Sequence, residues 1–150
     1  MGPDDDRVMG GRIDGAAHRL PVRVYFEDTD LSGVVYHANY LRFLERARSD
    51  MLAAAGIDQR AAHESGEGVY AVAAMDLRFV RPARLGDALL VTSRVAEVRA
   101  AACVIHQTVS RDGEEVVAAR VTAAFLSPAG RPRRQPKAWV DAFTRLIDPE

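Results

Sequence analysis

The feature that most constrains the fold is one long amphipathic segment, residues 38–55. Its apolar side chains recur at steps of three and four residues: Tyr40, Phe43, Leu44, Ala47, Met51 and Ala54 or Ala55, with Leu41 and Leu52 widening the face. This spacing predicts a helix with one apolar face, and Gly56 is a natural end for it. Because the apolar face is broad, we expect a β-sheet to cover it.

Segments with β character flank this helix. An alternating stretch, residues 20–26, precedes it, and four further strands are predicted at residues 69–80, 88–98, 101–110 and 115–126. Asp112-Gly113 favours a tight hairpin between the last two, and short connections favour antiparallel neighbours. The order predicts an α+β protein in which a curved, five-stranded antiparallel sheet wraps around one long central helix.

Length and composition predict one domain and exclude some function classes. The chain has 150 residues and a net charge of −1, which argues against nucleic-acid binding through bulk basicity. We expect a flexible N-terminal arm at residues 1–17, then a single domain at 18–150 that ends in a short basic tail. No apolar run approaches the ~20 residues of a membrane span. With no signal-peptide pattern at the N-terminus, a cytoplasmic location is the prediction.

Polar residues are concentrated at the junction between the first strand and the helix. The stretch Asp28-Thr29-Asp30-Leu31-Ser32-Gly33 is followed by Val34-Val35-Tyr36-His37-Ala38-Asn39-Tyr40. Loops held by rigid elements are where catalytic groups are usually placed. If the chain is an enzyme, this junction is the predicted active site. The lone Cys103 lies in an apolar run and is expected to be a small buried residue.

This junction, with the preceding Tyr25-Phe26-Glu27 and the helical Phe43-Leu44-Glu45-Arg46-Ala47-Arg48, resembles the hot-dog-fold acyl-CoA thioesterases. Within the 4-hydroxybenzoyl-CoA thioesterase group it is most similar to the branch encoded beside the Tol–Pal envelope system. The resemblance covers roughly residues 20–130. It implies a hot-dog fold, hydrolysis of an acyl-CoA thioester to a free acid and CoA, and no cofactor or metal.

The resemblance also implies roles for individual residues. Asp30 would be the catalytic carboxylate, acting as nucleophile or as general base, and the main-chain N–H of His37 would polarise the thioester carbonyl. A turn-forming Asp30 and a merely structural His37 are the alternatives from the residues alone. The expected substrate-binding residues are Tyr25, Gly33, Val34, Val35, Tyr36, Arg81 and Arg133, the arginines serving the phosphates of CoA. Phe26 stands where related sequences often have a second tyrosine.

The resemblance further implies a homodimer or homotetramer with active sites at the subunit interface. A single sheet around one helix also leaves strand edges that need protection. Two other functions stay open at this stage: a hot-dog hydratase or dehydratase, and a module that binds acyl thioesters without turnover.

Overall fold

One antiparallel sheet, three α-helices and a short 3-10 helix (Phe26–Asp28) make up the computed structural model, which describes residues 10–147. The strands are β1 (Arg12–Asp14), β2 (Ala17–Arg23), β3 (Val69–Phe79), β4 (Ala88–Val98), β5 (Ala102–Arg111) and β6 (Glu114–Leu126). The helices are α1 (Asn39–Ala54), α2 (Gln59–Glu64) and α3 (Lys137–Thr144). Within these residues the strand order is β1-β2-β4-β5-β6-β3, and every pairing is antiparallel.

Helix α1 covers one face of the sheet, as its apolar pattern predicts. Its buried apolar side chains are Tyr40, Phe43, Leu44, Ala47, Met51 and Leu52. Most of them join sheet residues such as Val91 and Val121 in the larger apolar cluster, while Met51 and Leu52 belong to a second cluster with α3. The helix and the α+β arrangement are therefore confirmed, and Cys103 is buried as expected.

The N-terminal prediction needs correction. Residues 12–14, assigned to a flexible arm, form β1 and pair with β2 through Arg12↔Arg19 and Asp14↔Ala17. Gly15, with φ +65°, supplies the left-handed backbone that the tight turn between the two strands requires. The sheet thus has six strands in the described residues instead of five. Residues 1–9 of the predicted arm lie outside the described residues.

The C-terminal segment also differs from the predicted basic tail. Helix α3 buries Phe143, and its Trp139 ring lies 5.4 Å from Phe125 and 5.9 Å from Tyr70, measured between ring centroids. Gln135 anchors the preceding chain, because its side-chain amide donates to the carbonyl oxygens of Arg99 and Ala102. The segment from Gln135 to Leu146 is therefore part of the packed structure.

Strand β3 lies at one edge of the sheet and pairs only with β6 among the described strands. It is eleven residues long, and its apolar side chains Val72 and Phe79 are 47% and 52% exposed. A long apolar edge of this kind is a template for pairing with another strand.

None of the described helices combines the length and apolar character that crossing a bilayer requires.

Candidate active site

The polar junction folds into a small hairpin ahead of α1. Thr29 pairs with Val35 across this hairpin. The Asp30 N–H donates to the Val34 carbonyl at 2.9 Å, and the Gly33 N–H donates to the Asp30 carbonyl at 3.1 Å. Gly33 has φ +80°, so it takes the left-handed position of this turn. The hairpin is pinned to the connection between β3 and β4, because the Val35 N–H donates to Ala83.

Asp28 ties both ends of the junction together. Its carboxylate accepts from the Tyr25 N–H at 2.8 Å and from the Asn39 side-chain amide at 2.7 Å. The residue is 8% exposed, and its carbonyl also accepts from the Tyr36 N–H. These contacts give Asp28 a structural role, because they fix the path of the chain from β2 to α1.

Asp30 is exposed beside this frame. Its Oδ1 accepts from both the N–H and the hydroxyl of Ser32, at 2.9 and 2.6 Å. The main-chain N–H groups of Val34 and Asp30 itself also stabilise the charged carboxylate, more weakly than Ser32 does. The hydrogen bonds from the Ser32 hydroxyl and N–H hold the pKa of Asp30 below its usual value. The junction therefore carries an exposed, ionised carboxylate whose Oδ1 is held by Ser32.

His37 is the second residue before α1. Ala38, at the helix N-cap, has no side-chain capping bond, and none of the described residues accepts a hydrogen bond from the His37 main-chain N–H. The start of a helix carries free N–H groups and the positive end of its dipole. An anionic oxygen placed there would be stabilised.

The His37 side chain borders an open groove of about 320 Å³ at this end of the molecule. Its ring centroid lies 4.7 Å from that of Tyr36 and 6.4 Å from that of Phe79. The other lining residues are Val35, Tyr40, Val80, Arg81 and Pro82. The groove is mostly apolar, and it brings three sequence-predicted site residues together: His37, Val35 and Arg81.

The remaining predicted residues of the junction stay close in the chain but differ in exposure. Tyr25 and Tyr36 are 61% and 51% exposed, whereas Val35 is 5% exposed. Val34 forms a bridge with Arg84 at the hairpin base. In a single copy of the chain, the two tyrosines and the neighbouring Phe26 and Leu31 thus present an uncovered aromatic and aliphatic surface beside Asp30.

The two predicted phosphate-binding arginines lie far apart. Arg81 lines the groove, donates to the Glu115 carbonyl and pairs with Glu114 at 3.3 Å. Arg133 instead donates to the Gly66 and Glu67 carbonyls, just before β3 begins. Since Phe79 and the groove lie at the other end of this eleven-residue strand, about 33 Å away, one chain does not bring Arg133 to His37.

Sequence reasoning missed Ser32 and Phe79. Ser32 holds the Asp30 carboxylate, and a serine two residues after an aspartate in a loop is a recognisable turn signal. Phe79 packs against both His37 and Tyr40, with a ring centroid 5.9 Å from that of Tyr40. No local pattern marks it, because its contact with the helix start depends on the position of β3 in the sheet.

Comparison with known proteins identifies the family. The model of the thioesterase-like superfamily matches residues 24–144, and the chain belongs to that superfamily. The acyl-CoA thioesterase YbgC of Haemophilus influenzae is 38% identical over 128 residues, 85% of this chain and 94% of that protein. The 1,4-dihydroxy-2-naphthoyl-CoA hydrolase of Thermosynechococcus vestitus is 42% identical over 69 residues, 46% of this chain and 47% of that protein.

A solved structure supports the same grouping. The probable thioesterase from Bartonella henselae superimposes with a TM-score of 0.77 at 35% identity, covering 80% of this chain and 99% of that one. The fold is the hot-dog fold that the sequence resemblance implies, with the added strand β1.

Proposed function

We propose that the protein hydrolyses acyl-CoA thioesters, with Asp30 as the catalytic carboxylate and the His37 main-chain N–H as the oxyanion donor. One observation carries this proposal. The junction that leads into the uncapped start of α1 holds an exposed carboxylate with a lowered pKa. A negative group and a positive pole on one short segment suit attack on a polarised carbonyl. Relatives named acyl-CoA thioesterases support the reaction class.

The chemistry follows from these two groups. The thioester oxygen accepts a hydrogen bond from the His37 N–H, so the positive end of α1 stabilises the charge that develops on it. Asp30 then attacks the carbonyl carbon and expels CoA thiolate, and water cleaves the resulting anhydride. In the second route Asp30 takes a proton from water, and the hydroxide attacks. Both routes give a free acid and CoA. The exposed His37 imidazole is free to orient the water.

The predicted binding residues have roles that fit this scheme. Tyr25, Gly33, Val34, Val35 and Tyr36 lie near Asp30 and His37 in the chain and would shape the space for the thioester. Arg81 borders the groove beside His37, where it would meet the phosphates of CoA. Arg133 would meet the phosphates only at the groove of a second copy of the chain, because the groove of its own copy lies a strand length away.

We propose that the active unit is a homodimer, or a homotetramer built from two such dimers. Two copies of β3 pairing antiparallel would protect the free edge and cover Val72, Phe79 and the neighbouring Leu41 of α1, which is 42% exposed. In that arrangement the N-terminal part of one β3 lies beside the C-terminal part of the other. Each site would then be completed by the second copy. Since acyl-CoA is an intracellular metabolite, the proposed location is the cytoplasm.

The direct test incubates the purified protein with hexanoyl-CoA and, separately, with hexenoyl-CoA. Thiol release from both with no water addition to the enoyl double bond supports the hydrolase. Hydration without thiol release would establish the hydratase alternative. Binding of hexanoyl-CoA with no chemical change would establish the binding module.

A further inference from the structure

Phe79 is the last residue of β3 and lies at the edge of the candidate active site. Side chains alternate along a strand, so Met75, Leu77 and Phe79 share one face of β3. Met75 and Leu77 pack against the larger apolar cluster, which includes the first half of α1. Phe79 continues this row to the beginning of the helix, where its ring centroid lies 5.9 Å from that of Tyr40 and 6.4 Å from that of His37.

The backbone of Phe79 is held by the neighbouring strand. Phe79 pairs with Val117 of β6, which is fully buried. The main-chain N–H groups of Val80 and Arg81 then both donate to the Val116 carbonyl, at 2.9 and 3.3 Å. The ring therefore extends from a fixed point of the sheet, although 52% of the residue is exposed.

The His37 imidazole, in contrast, is exposed and forms no hydrogen bond with any residue between positions 10 and 147. Its ring contacts there are with Tyr36, at 4.7 Å and a tilt of 56°, and with Phe79, at 6.4 Å and 88°. The second arrangement is edge-to-face, a preferred geometry of aromatic pairs. Because Tyr36 is the adjacent residue of the same loop, Phe79 is the ring that ties the imidazole to the sheet.

We propose that Phe79 is a positioning residue that holds the His37 imidazole beside the positive end of α1, where the imidazole orients the reacting water. The inference rests on the proposed thioesterase function. Both hydrolytic routes consume one water molecule, and that water must be aligned with the carbon that it attacks. The imidazole keeps both nitrogens available for the water, but its direction has to be fixed by another contact. The Phe79 ring supplies this contact without occupying either nitrogen.

Three substitutions on β3 separate the ring from the apolar surface that it provides. Phe79→Leu removes the ring and keeps an apolar side chain, whereas Phe79→Tyr keeps the ring and directs its hydroxyl to solvent at this half-exposed position. Val69→Ala is the matched control, since it removes apolar surface from the other end of the strand, at a residue that is 39% exposed. Circular dichroism and light scattering check that each variant keeps the fold and the oligomeric state of the wild type.

The kinetic test is a double-mutant cycle with His37→Ala, measured as thiol release from hexanoyl-CoA. Phe79→Leu should lower kcat about five- to tenfold, the upper range for an aromatic pair, and leave KM within about twofold of the wild type. Phe79→Tyr and Val69→Ala should keep the wild-type kcat. In the His37→Ala background, Phe79→Leu should change kcat less than about twofold, because no imidazole is left to hold.

Two kinetic results would overturn the positioning role. Equal fold-losses from Phe79→Leu in the presence and absence of the His37 imidazole would mean that the ring acts elsewhere, for example through Tyr40. Wild-type kcat in His37→Ala would mean that the imidazole contributes nothing for Phe79 to position.

Nuclear magnetic resonance tests the contact without any turnover. The His37 imidazole signals are assigned as those missing from the spectrum of His37→Ala. In the wild type they should show nuclear Overhauser effects to the Phe79 ring, and Phe79→Leu, unlike Val69→Ala, should shift them. Absence of either effect would overturn the inference. If both effects are present but the wild type releases no thiol from hexanoyl-CoA, the hydrolase is refuted and the contact between the two rings remains.

Discussion

The Asp28 carboxylate accepts the Asn39 side-chain amide at 2.7 Å, and this contact fixes the junction to the first residue of α1. The other carboxylate oxygen accepts the Tyr25 N–H, so one nearly buried side chain holds the beginning and the end of the segment that carries Asp30 and His37. The two aspartates of the Asp28-Thr29-Asp30 motif thus differ: Asp28 holds the backbone of the junction in place, and the exposed Asp30 is the carboxylate that faces the reactant in the proposed mechanism.

Replacing Asp28 with alanine should destabilise the fold and lower activity together. The Asn39 amide and the Tyr25 N–H both lose their acceptor, which costs about 2–3 kcal/mol in the free energy of unfolding. Urea denaturation measures the loss, with Glu27→Ala as the exposed neighbouring control. An unchanged unfolding free energy in Asp28→Ala would show that the carboxylate does not hold the junction.

Replacing Ser32 with alanine should move the acid limb of the pH–rate profile to higher pH. The substitution removes the hydroxyl bond that contributes most to the lowered pKa of Asp30 and keeps the N–H bond. The pKa therefore rises towards its ordinary value, and a higher pH is needed to ionise the carboxylate. The profile of kcat/KM between pH 3 and 8 is the measurement.

Ser65→Ala is the control for this shift, since that hydroxyl bonds to a carbonyl in α2 and touches neither aspartate. An acid limb at the same pH in wild type and Ser32→Ala would mean that another group sets it.

A charge in the middle of the free edge should disrupt assembly. Val72→Glu places a carboxylate where two copies of β3 would meet, and burying it unpaired is unfavourable. We expect a shift to monomer in size-exclusion chromatography with light scattering, accompanied by loss of activity. Thr122→Glu, in the interior strand β6, is the control for added charge. A wild type that is monomeric and fully active would contradict the proposed dimer.

The Cys103 thiol should not react in the native protein. It is 1% exposed, and burial raises its pKa to about 11. At pH 8 the thiol is therefore both protonated and inaccessible. Titration with a disulfide reagent should find no reactive thiol until urea unfolds the chain, and then one per chain. Rapid labelling without denaturant would show that the packing of β5 against Met51 and Leu52 of α1 opens readily.

Regular periodicity made α1 and most strands predictable. The predicted helix at 38–55 is Asn39–Ala54, and the predicted strand at 88–98 matches Ala88–Val98. The strand predicted at residues 20–26 is β2, which begins three residues earlier, at Ala17. His18 is buried in this added part, with its ring nitrogen 2.6 Å from Asp50. A buried histidine that pairs with a distant carboxylate gives no apolar signal.

Helix α3 was missed because of its surroundings in the sequence. The arginines and prolines before it indicate a solvated tail, although Trp139 and Phe143 have the four-residue spacing of a helical face. The resemblance already pointed to Asp30 as the reactive carboxylate of the junction, but the roles of Ser32 and Phe79 depend on turn geometry and on strand order. Neither can be read from the apolar pattern.

The most direct measurement of the central claim is kcat/KM for thiol release from octanoyl-CoA by wild type and Asp30→Asn. The substitution preserves size and the capacity to accept from Ser32, so the fold and the unfolding free energy should stay close to wild type. Activity should fall by a factor of at least about 10³, since the carboxylate that attacks or activates water is gone. A folded Asp30→Asn variant that keeps wild-type kcat/KM would contradict the account.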